Sequence, residues 1–175
     1  MSWLQILVDI APLTWAGLGS AALAGGIIGL ERQILGKPAG IRTSMLICVG
    51  TYVFIAVSLS LSTGATDPTR IVGQVITGIG FLGAGVMIAR DGMIHGVTSA
   101  AVIWMLAAIG VAIGVQDHIL GIKLAVLTVL GLVIIDVVEK RIPALQKGVH
   151  RNGYQARAEG GVPPAGMAER RKSHE

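Results

Sequence analysis

Residues 13–42 read LTWAGLGSAALAGGIIGL followed by ERQILGKPAGIR. The first eighteen residues carry no charged side chain, whereas the next twelve carry Glu31, Arg32, Lys37 and Arg42. An apolar run of this length predicts a membrane-spanning helix, because about 20 apolar residues cross a hydrocarbon core of about 30 Å. The charged stretch predicts a loop on one side of the membrane, and its basic residues bear on orientation.

The composition of the whole chain agrees with a lipid environment. Of 175 residues, 53% are hydrophobic and only 14% are charged, against about 25% charged in soluble domains. The single cysteine, Cys48, lies in an apolar run and cannot form an internal disulfide. The net charge is +4, but the basic residues lie at the ends of apolar runs and in the tail, which argues against a nucleic-acid partner.

Five apolar runs are long enough to span a bilayer. They cover 12–30, 43–62, 71–89, 97–115 and 119–138, the last with Lys123 and Asp136 near its ends. The sequence therefore predicts an all-α, polytopic membrane bundle of about five transmembrane helices. Residues 1–142 form this domain, and residues 143–175 form a polar cytoplasmic tail without apolar periodicity, which we expect to be disordered.

The distribution of lysine and arginine predicts the orientation. Loops 31–42 and 90–96, together with the tail 139–175, hold twelve of the fourteen basic residues. The positive-inside rule therefore places the N-terminus outside and the tail in the cytoplasm.

Glycines recur in the first and third runs. Gly17, Ala21, Gly25 and Gly29 repeat every four residues and form one small-residue helix face. The packing glycines expected from both runs are Gly25, Gly29, Gly78, Gly80, Gly83 and Gly85. Such faces serve either packing within the bundle or self-association. Gly78–Gly83 also fits GxGxxG, but its apolar context excludes a dinucleotide site and leaves close packing or an interrupted helix.

Polar residues at the helix ends are the candidate functional or structural groups. Asp67 predicts an N-cap for the third helix. Arg70 and Gln74 share a face of that helix, expected to face the bundle interior, where they serve a helix contact or bind an anion. Glu31 ends the first helix against its dipole, so we expect a cationic partner, Arg42 or more favourably Arg90. Arg32 and Asp91 complete the expected cytoplasmic ring.

No catalytic or metal-ligating pattern is visible in the sequence. The histidines at 95, 118, 150 and 174 lack metal-ligand spacing among themselves or with Cys48. We expect neither a cofactor nor a bound metal, and no enzyme activity.

Four motifs resemble a known family. GLERQ (29–33), GKPAGIRT (36–43), DPTRIVGQVITGIGFLGAGVM (67–87) and VTSAAVIWMLAAIG (97–110) are similar to the MgtC/SapB family of bacterial inner-membrane proteins, over residues 22–115. The resemblance implies a multi-pass plasma-membrane protein linked to magnesium limitation, acid stress and intracellular survival. It also implies an F-type ATP synthase as a partner, which the best-known member is thought to restrain.

Two departures indicate a SapB-like member. A short polar tail follows the fifth span where the virulence branch has a folded domain, and Thr98 and Met105 stand where that branch has Asn and Cys. The leading hypothesis is a non-enzymatic regulator that contacts another membrane protein or a second copy of itself. The alternative is a transporter or channel for Mg²⁺ or another ion.

The orientation can be tested with single cysteines at positions 65 and 160 in a Cys48→Ala background. An impermeant thiol reagent on intact spheroplasts should label position 65 and not position 160, because only the former lies on the sparsely basic side. Labelling at position 160 alone would show that the chain has the opposite orientation to the predicted one.

Overall fold

The structure, a computed structural model, describes residues 8–62, 69–90, 93–115 and 117–142. Five helices dominate these residues: α1 (Trp15–Ile34), α2 (Ile41–Leu61), α3 (Thr69–Gly85), α4 (Val97–Val115) and α5 (His118–Arg141). The predicted all-α bundle is confirmed, and α2, α4 and α5 are each long and apolar enough to cross a membrane. The tail 143–175 lies outside the described residues, so its disorder stays a prediction.

Helix α1 begins and ends with defined caps. The Thr14 hydroxyl oxygen accepts a hydrogen bond from the Gly17 N–H at 3.0 Å and caps the N-terminus. At the other end Gly36 adopts a left-handed φ of 62°. Its N–H donates to the Gln33 carbonyl, and the Lys37 N–H donates to the Arg32 carbonyl at 2.9 Å. This is a Schellman motif, which satisfies carbonyls that a helix end leaves free.

That cap corrects the predicted first loop. Residues 31–34 belong to the last turn of α1, and residues 41 and 42 begin α2, so the connection covers only 35–40. The charges at 31 and 32 did not end the helix, because Gly36 rather than a charged side chain supplies the stop signal.

A close backbone contact joins α1 to α2. A Cβ atom on Gly25 would lie 2.6 Å from the Ser44 carbonyl oxygen, and one on Gly29 would lie 2.6 Å from the Ile41 Cα. Nearer the start of α1, Gly17 leaves room for the Tyr52 ring. The two backbones therefore touch without intervening side chains, as small-residue faces allow in membrane bundles.

Four of the helices share one hydrophobic core. Its buried members are Ala21, Ala24 and Ile28 of α1, Cys48 and Tyr52 of α2, Val102, Leu106, Ile109 and Ile113 of α4, and Ala125 of α5. Helix α4 also approaches α2 closely, because a Cβ on Gly110 would lie 2.6 Å from the Cys48 carbonyl oxygen. Helix α3 contributes no residue to this core and packs chiefly on α4.

The third span is shorter than predicted. Helix α3 ends at Gly85, not near 89, and an antiparallel hairpin follows, with β1 (Ile88–Arg90) paired to β2 (Met93–His95). Of the two alternatives left for Gly78–Gly83, the interrupted helix is excluded, because 69–85 is continuous helix. Gly96 closes the hairpin with a φ of 89°, which favours glycine, and a Cβ there would overlap the Val86 carbonyl oxygen.

The α1–α2 contact predicts a large difference between two glycines. Gly25→Ala should lower the free energy of unfolding by about 1–3 kcal/mol, because backbone atoms of α2 occupy the space of the new methyl group. The matched control is Gly131→Ala in α5, where nothing lies within 4 Å of the added carbon. Unfolding of both variants in mixed detergent micelles measures the effect. Equal stability of the two would contradict the backbone contact.

Candidate functional site

A charged pair lies buried in the last turn of α1. The side chain of Arg32 is 3% exposed and that of Glu31 is 9% exposed. Arg32 Nη1 lies 3.6 Å from Glu31 Oε2. That separation is too long for a hydrogen bond, so the contact is purely Coulombic. Glu31 follows Ile28 by three residues and therefore continues the core-facing side of α1.

Neither side chain is fully satisfied. Both carboxylate oxygens of Glu31 and the Nε of Arg32 are buried and lack a hydrogen-bond partner within the structure as described. Burying a charge costs several kcal/mol per ion unless hydrogen bonds compensate it. Buried polar groups in native proteins normally have a hydrogen-bond partner, so these atoms call for one. The Glu31 carboxylate can take up a proton, bind a small cation or accept hydrogen bonds from water.

The connection after α1 fixes the position of the pair. The Lys37 N–H holds the Arg32 carbonyl, and the Leu35 N–H donates to the Glu31 carbonyl at 3.1 Å. Gln33 Oε1 accepts from the Ile41 N–H at 3.2 Å and joins the end of α1 to the start of α2. These hydrogen bonds fix the backbone of the last turn of α1, which carries both charges, against the start of α2.

Of the two expected partners of Glu31, the structure contradicts Arg42 and does not test Arg90. The ion-pair partner of Glu31 among the described residues is the adjacent Arg32, whereas Arg42 lies exposed at the start of α2. The expected Arg42 pairing is wrong, because its side chain points to the surface. The backbone of Arg90 closes β1 opposite Met93. The side chain of Arg90 lies outside the described part of the structure, as does Asp91.

The second predicted group does not face the interior. Arg70 and Gln74 are both exposed on α3, and no hydrogen bond joins them in the described structure. Helix α3 contributes no residue to the core, so it offers no core-facing side on which Arg70 and Gln74 could be buried. Asp67, the expected N-cap, lies outside the described residues.

The predicted packing glycines divide into two groups. Gly25 and Gly29 lie at the α1–α2 crossing described above, and Gly83 is in ordinary contact with Ala100 of α4. Gly78, Gly80 and Gly85 have no atom of the described chain within 4 Å of an added Cβ. These three do not pack within the chain, because α3 meets α4 along another side.

An open groove separates α2 from α3. We call it the Gln74 groove; its volume is about 410 Å³, and it is lined by Thr51, Phe54, Ile71, Gln74, Val75, Gly78, Ile79 and Leu82. Gln74 and Phe54 are exposed, the latter 67%. The walls are mainly apolar, and Gln74 supplies both a donor and an acceptor.

A second cavity was missed by the sequence reasoning. We call it the Tyr52 cavity; its volume is about 310 Å³, and it is lined by Pro12, Thr14, Tyr52, Ala56, Leu59, Ser60, Ile113, Gly114 and His118. It lies at the end of the bundle where α1 and α5 begin, opposite Glu31. Thr14 is of a residue type that favours the N-cap position, but its approach to Tyr52 depends on the tertiary packing.

Together these features define a membrane helical bundle with a buried ion pair at one end, an open groove between α2 and α3, and the Tyr52 cavity at the other end. The family pattern of the MgtC family matches residues 18–141, and the chain belongs to that family.

Several relatives share the matched region. The chain is 49% identical over 117 residues to "Putative magnesium transporter YhiD" of Escherichia coli K12, covering 63% of this chain and 54% of the relative. It is 45% identical over 101 residues to "Protein MgtC" of Brucella abortus, covering 58% of this chain and 42% of the relative. An uncharacterized Haemophilus influenzae protein is 39% identical over 149 residues, covering 78% and 58%.

The chain spans about half the length of the curated relatives it matches. No solved structure matches it.

The buried pair predicts a rescue between neighbours. Glu31→Leu should destabilise the protein by about 3–5 kcal/mol, because it leaves the buried Arg32 without a counter-charge. Adding Arg32→Leu should recover most of that loss, since the double variant buries no charge. Thermal unfolding of the purified proteins in detergent measures both.

The control tests Arg90, the partner of Glu31 that the sequence favoured, by reversing its charge. Arg90→Glu should fail to restore Glu31→Arg if Arg32 is the partner. Rescue by Arg90→Glu would instead show that Arg90 pairs with Glu31.

Proposed function

We propose that this chain is a non-enzymatic membrane regulator that acts through helix contacts with another membrane protein. The single observation that carries the proposal is the Gln74 groove between α2 and α3. A surface of this kind fits a partner helix better than it fits a chemical reaction.

Exposing the Gln74 side chain to lipid without a partner costs free energy. It lies more than a turn inside α3 and is exposed. Its amide can find no donor or acceptor in hydrocarbon, and a buried polar group without partners costs free energy. A side chain or backbone carbonyl of a second helix would satisfy it, as polar residues do between membrane helices.

The small residues of α3 let such a helix come close. Gly78 lines the groove, and neither it nor Gly73 meets an atom of the chain where a Cβ would stand. The Thr77 hydroxyl donates its hydrogen to the Gly73 carbonyl at 2.9 Å. It therefore does not compete with Gln74 for acceptors on the partner helix. Close backbone approach gives the van der Waals contact that drives helix association in lipid.

The family resemblance supports the biological setting of the proposal. We place the protein in the bacterial inner membrane as a multi-pass protein, linked to magnesium limitation, acid stress or intracellular survival. The proposed partner is an F-type ATP synthase, and a homo-oligomer is the alternative occupant of the same groove.

A second candidate function is ion transport. The buried Glu31 carboxylate has two open acceptor oxygens, and a relative carries the name of a magnesium transporter. Against a Mg²⁺ site stands the adjacent Arg32, whose positive charge repels a cation, while Mg²⁺ prefers several oxygen ligands.

Photo-crosslinking in growing cells tests the regulator. A benzophenone amino acid at position 79, in the groove, should give a discrete crosslink to a membrane protein, and Gln74→Leu should abolish it. The matched control is position 134 on α5, where Ile134 is 59% exposed and lines neither cavity. Growth at limiting magnesium should fall with Gln74→Leu.

The competing functions separate in purified material. Proteoliposomes loaded with a magnesium-sensitive dye should show no flux above empty vesicles. Flux that Glu31→Gln abolishes would favour the transporter, and equal crosslinking at positions 79 and 134 would refute the regulator.

A further inference from the structure

A second groove lies between α2 and α3, at the end of the bundle where α2 ends and α3 begins. We call it the Val57 groove; its volume is about 420 Å³, and it is lined by Val53, Phe54, Val57, Ser58, Leu61 and Ser62 on the α2 side and by Ile71 on the α3 side. It shares Phe54 and Ile71 with the Gln74 groove, but it lies closer to the bundle end and does not include Gln74. The proposed helix contact through Gln74 therefore leaves the Val57 groove unassigned.

The length of the Val57 groove corresponds to one leaflet of the bilayer. Its lining on the α2 side extends from Val53 to Ser62, which is about 14 Å along a helix that rises about 1.5 Å per residue. The hydrocarbon core is about 30 Å thick, so one leaflet contributes about 15 Å of it. A partner helix crosses both leaflets, whereas an acyl chain ends near the midplane. The groove therefore has the length of one acyl chain.

The walls of the Val57 groove are mainly apolar and open to the surrounding lipid. Apart from its two serines, the groove is lined by valine, phenylalanine, leucine and isoleucine side chains. The Ser62 hydroxyl already donates its hydrogen to the Ser58 carbonyl at 3.0 Å, so it needs no acceptor from a ligand. Val57 is 37% exposed and Leu61 is 73% exposed, so a chain can enter from the side. These walls suit an aliphatic chain better than a polar ligand.

A cation lies beside the groove at the bundle end. Arg70 directly precedes Ile71 of the groove wall, so the Cα atoms of the two residues lie about 3.8 Å apart. The Arg70 side chain is exposed and, as in any α-helix, leans toward the helix N-terminus, which here is the bundle end. The acids described at this end, Asp9 and Asp117, form no ion pair with it within the described structure. The guanidinium is therefore available to an anion at the level of the lipid headgroups.

We propose that the Val57 groove binds a glycerophospholipid. One acyl chain lies along α2 in the groove, and the phosphate at the bundle end pairs with Arg70. Arginine suits this role, because its planar guanidinium can donate two parallel hydrogen bonds to phosphate oxygens. An apolar groove one leaflet long with a cation at its outer end distinguishes this site from lipid-facing surface such as the exposed apolar side of α5.

Native mass spectrometry of the full chain, released from detergent, tests the phosphate contact. Dioleoyl phosphatidylglycerol should bind more tightly than dioleoylglycerol, which has the same chains and no phosphate. Arg70→Gln should weaken phosphatidylglycerol binding about 3- to 10-fold, the range expected for one hydrogen bond, and leave dioleoylglycerol binding unchanged. The matched control is Lys123→Gln, which removes an exposed cation near the start of α5, at the same bundle end, and should leave binding of both lipids unchanged.

The acyl-chain contact is tested by Val57→Phe, whose larger side chain fills the groove and should weaken binding of both lipids. The matched control is Val126→Phe in α5, because Val126 is 43% exposed and does not line the Val57 groove. Equal losses in Val57→Phe and Val126→Phe, or in Arg70→Gln and Lys123→Gln, would overturn the proposal.

A second measurement uses the unmodified chain. A phosphatidylglycerol with a photoactivatable group on one acyl chain should crosslink mainly to residues 53–62, and much less to residues 126–135 of α5, which peptide mapping by mass spectrometry measures. Crosslinks spread evenly over the two segments would show only the general lipid contact of a membrane bundle and would overturn the proposed site.

Discussion

The fold depends on the direct contact between the backbones of α1 and α2. Gly25 and Gly29 remove the side chains that would hold the helices apart, and the Ser44 carbonyl and Ile41 Cα occupy the space. The contact brings both ends of α1 against α2, so the Gln33 amide reaches Ile41 at one end and Thr14 reaches Tyr52 at the other. The buried charges and the Tyr52 cavity therefore owe their positions to the same pair of helices.

The sequence predicted the helices better than their partners. Apolar run length indicated all five helices, because the hydrocarbon thickness imposes it. The glycine spacing in α1 indicated a packing face, and the structure places α2 against it. The glycines of α3 gave no information on whether their partner belongs to this chain. Gly78 and Gly80 face no atom of the described chain, which a repeat alone could not distinguish.

Charge was the less reliable guide to local structure. Glu31 and Arg32 were read as the start of a loop, yet they lie in the last turn of a helix and are buried. A sequence pattern records that a residue is charged, but its burial depends on which helices surround it. The Tyr52 cavity was invisible for the same reason, since Thr14, Tyr52 and His118 are separated by tens of residues and meet only in the folded bundle.

The position of α3 divides the molecule into parts of unequal stability. The core cluster draws on α1, α2, α4 and α5. Helix α3 has one buried residue, Gly83, which lies outside that cluster, and the β1–β2 hairpin joins α3 to α4. Local opening requires less free energy where few buried apolar contacts are broken. We therefore expect α3 and its hairpin to open locally at a lower free energy than the four-helix body. A neighbour bound to α3 would then slow backbone hydrogen exchange in α3 alone and leave exchange in the body unchanged.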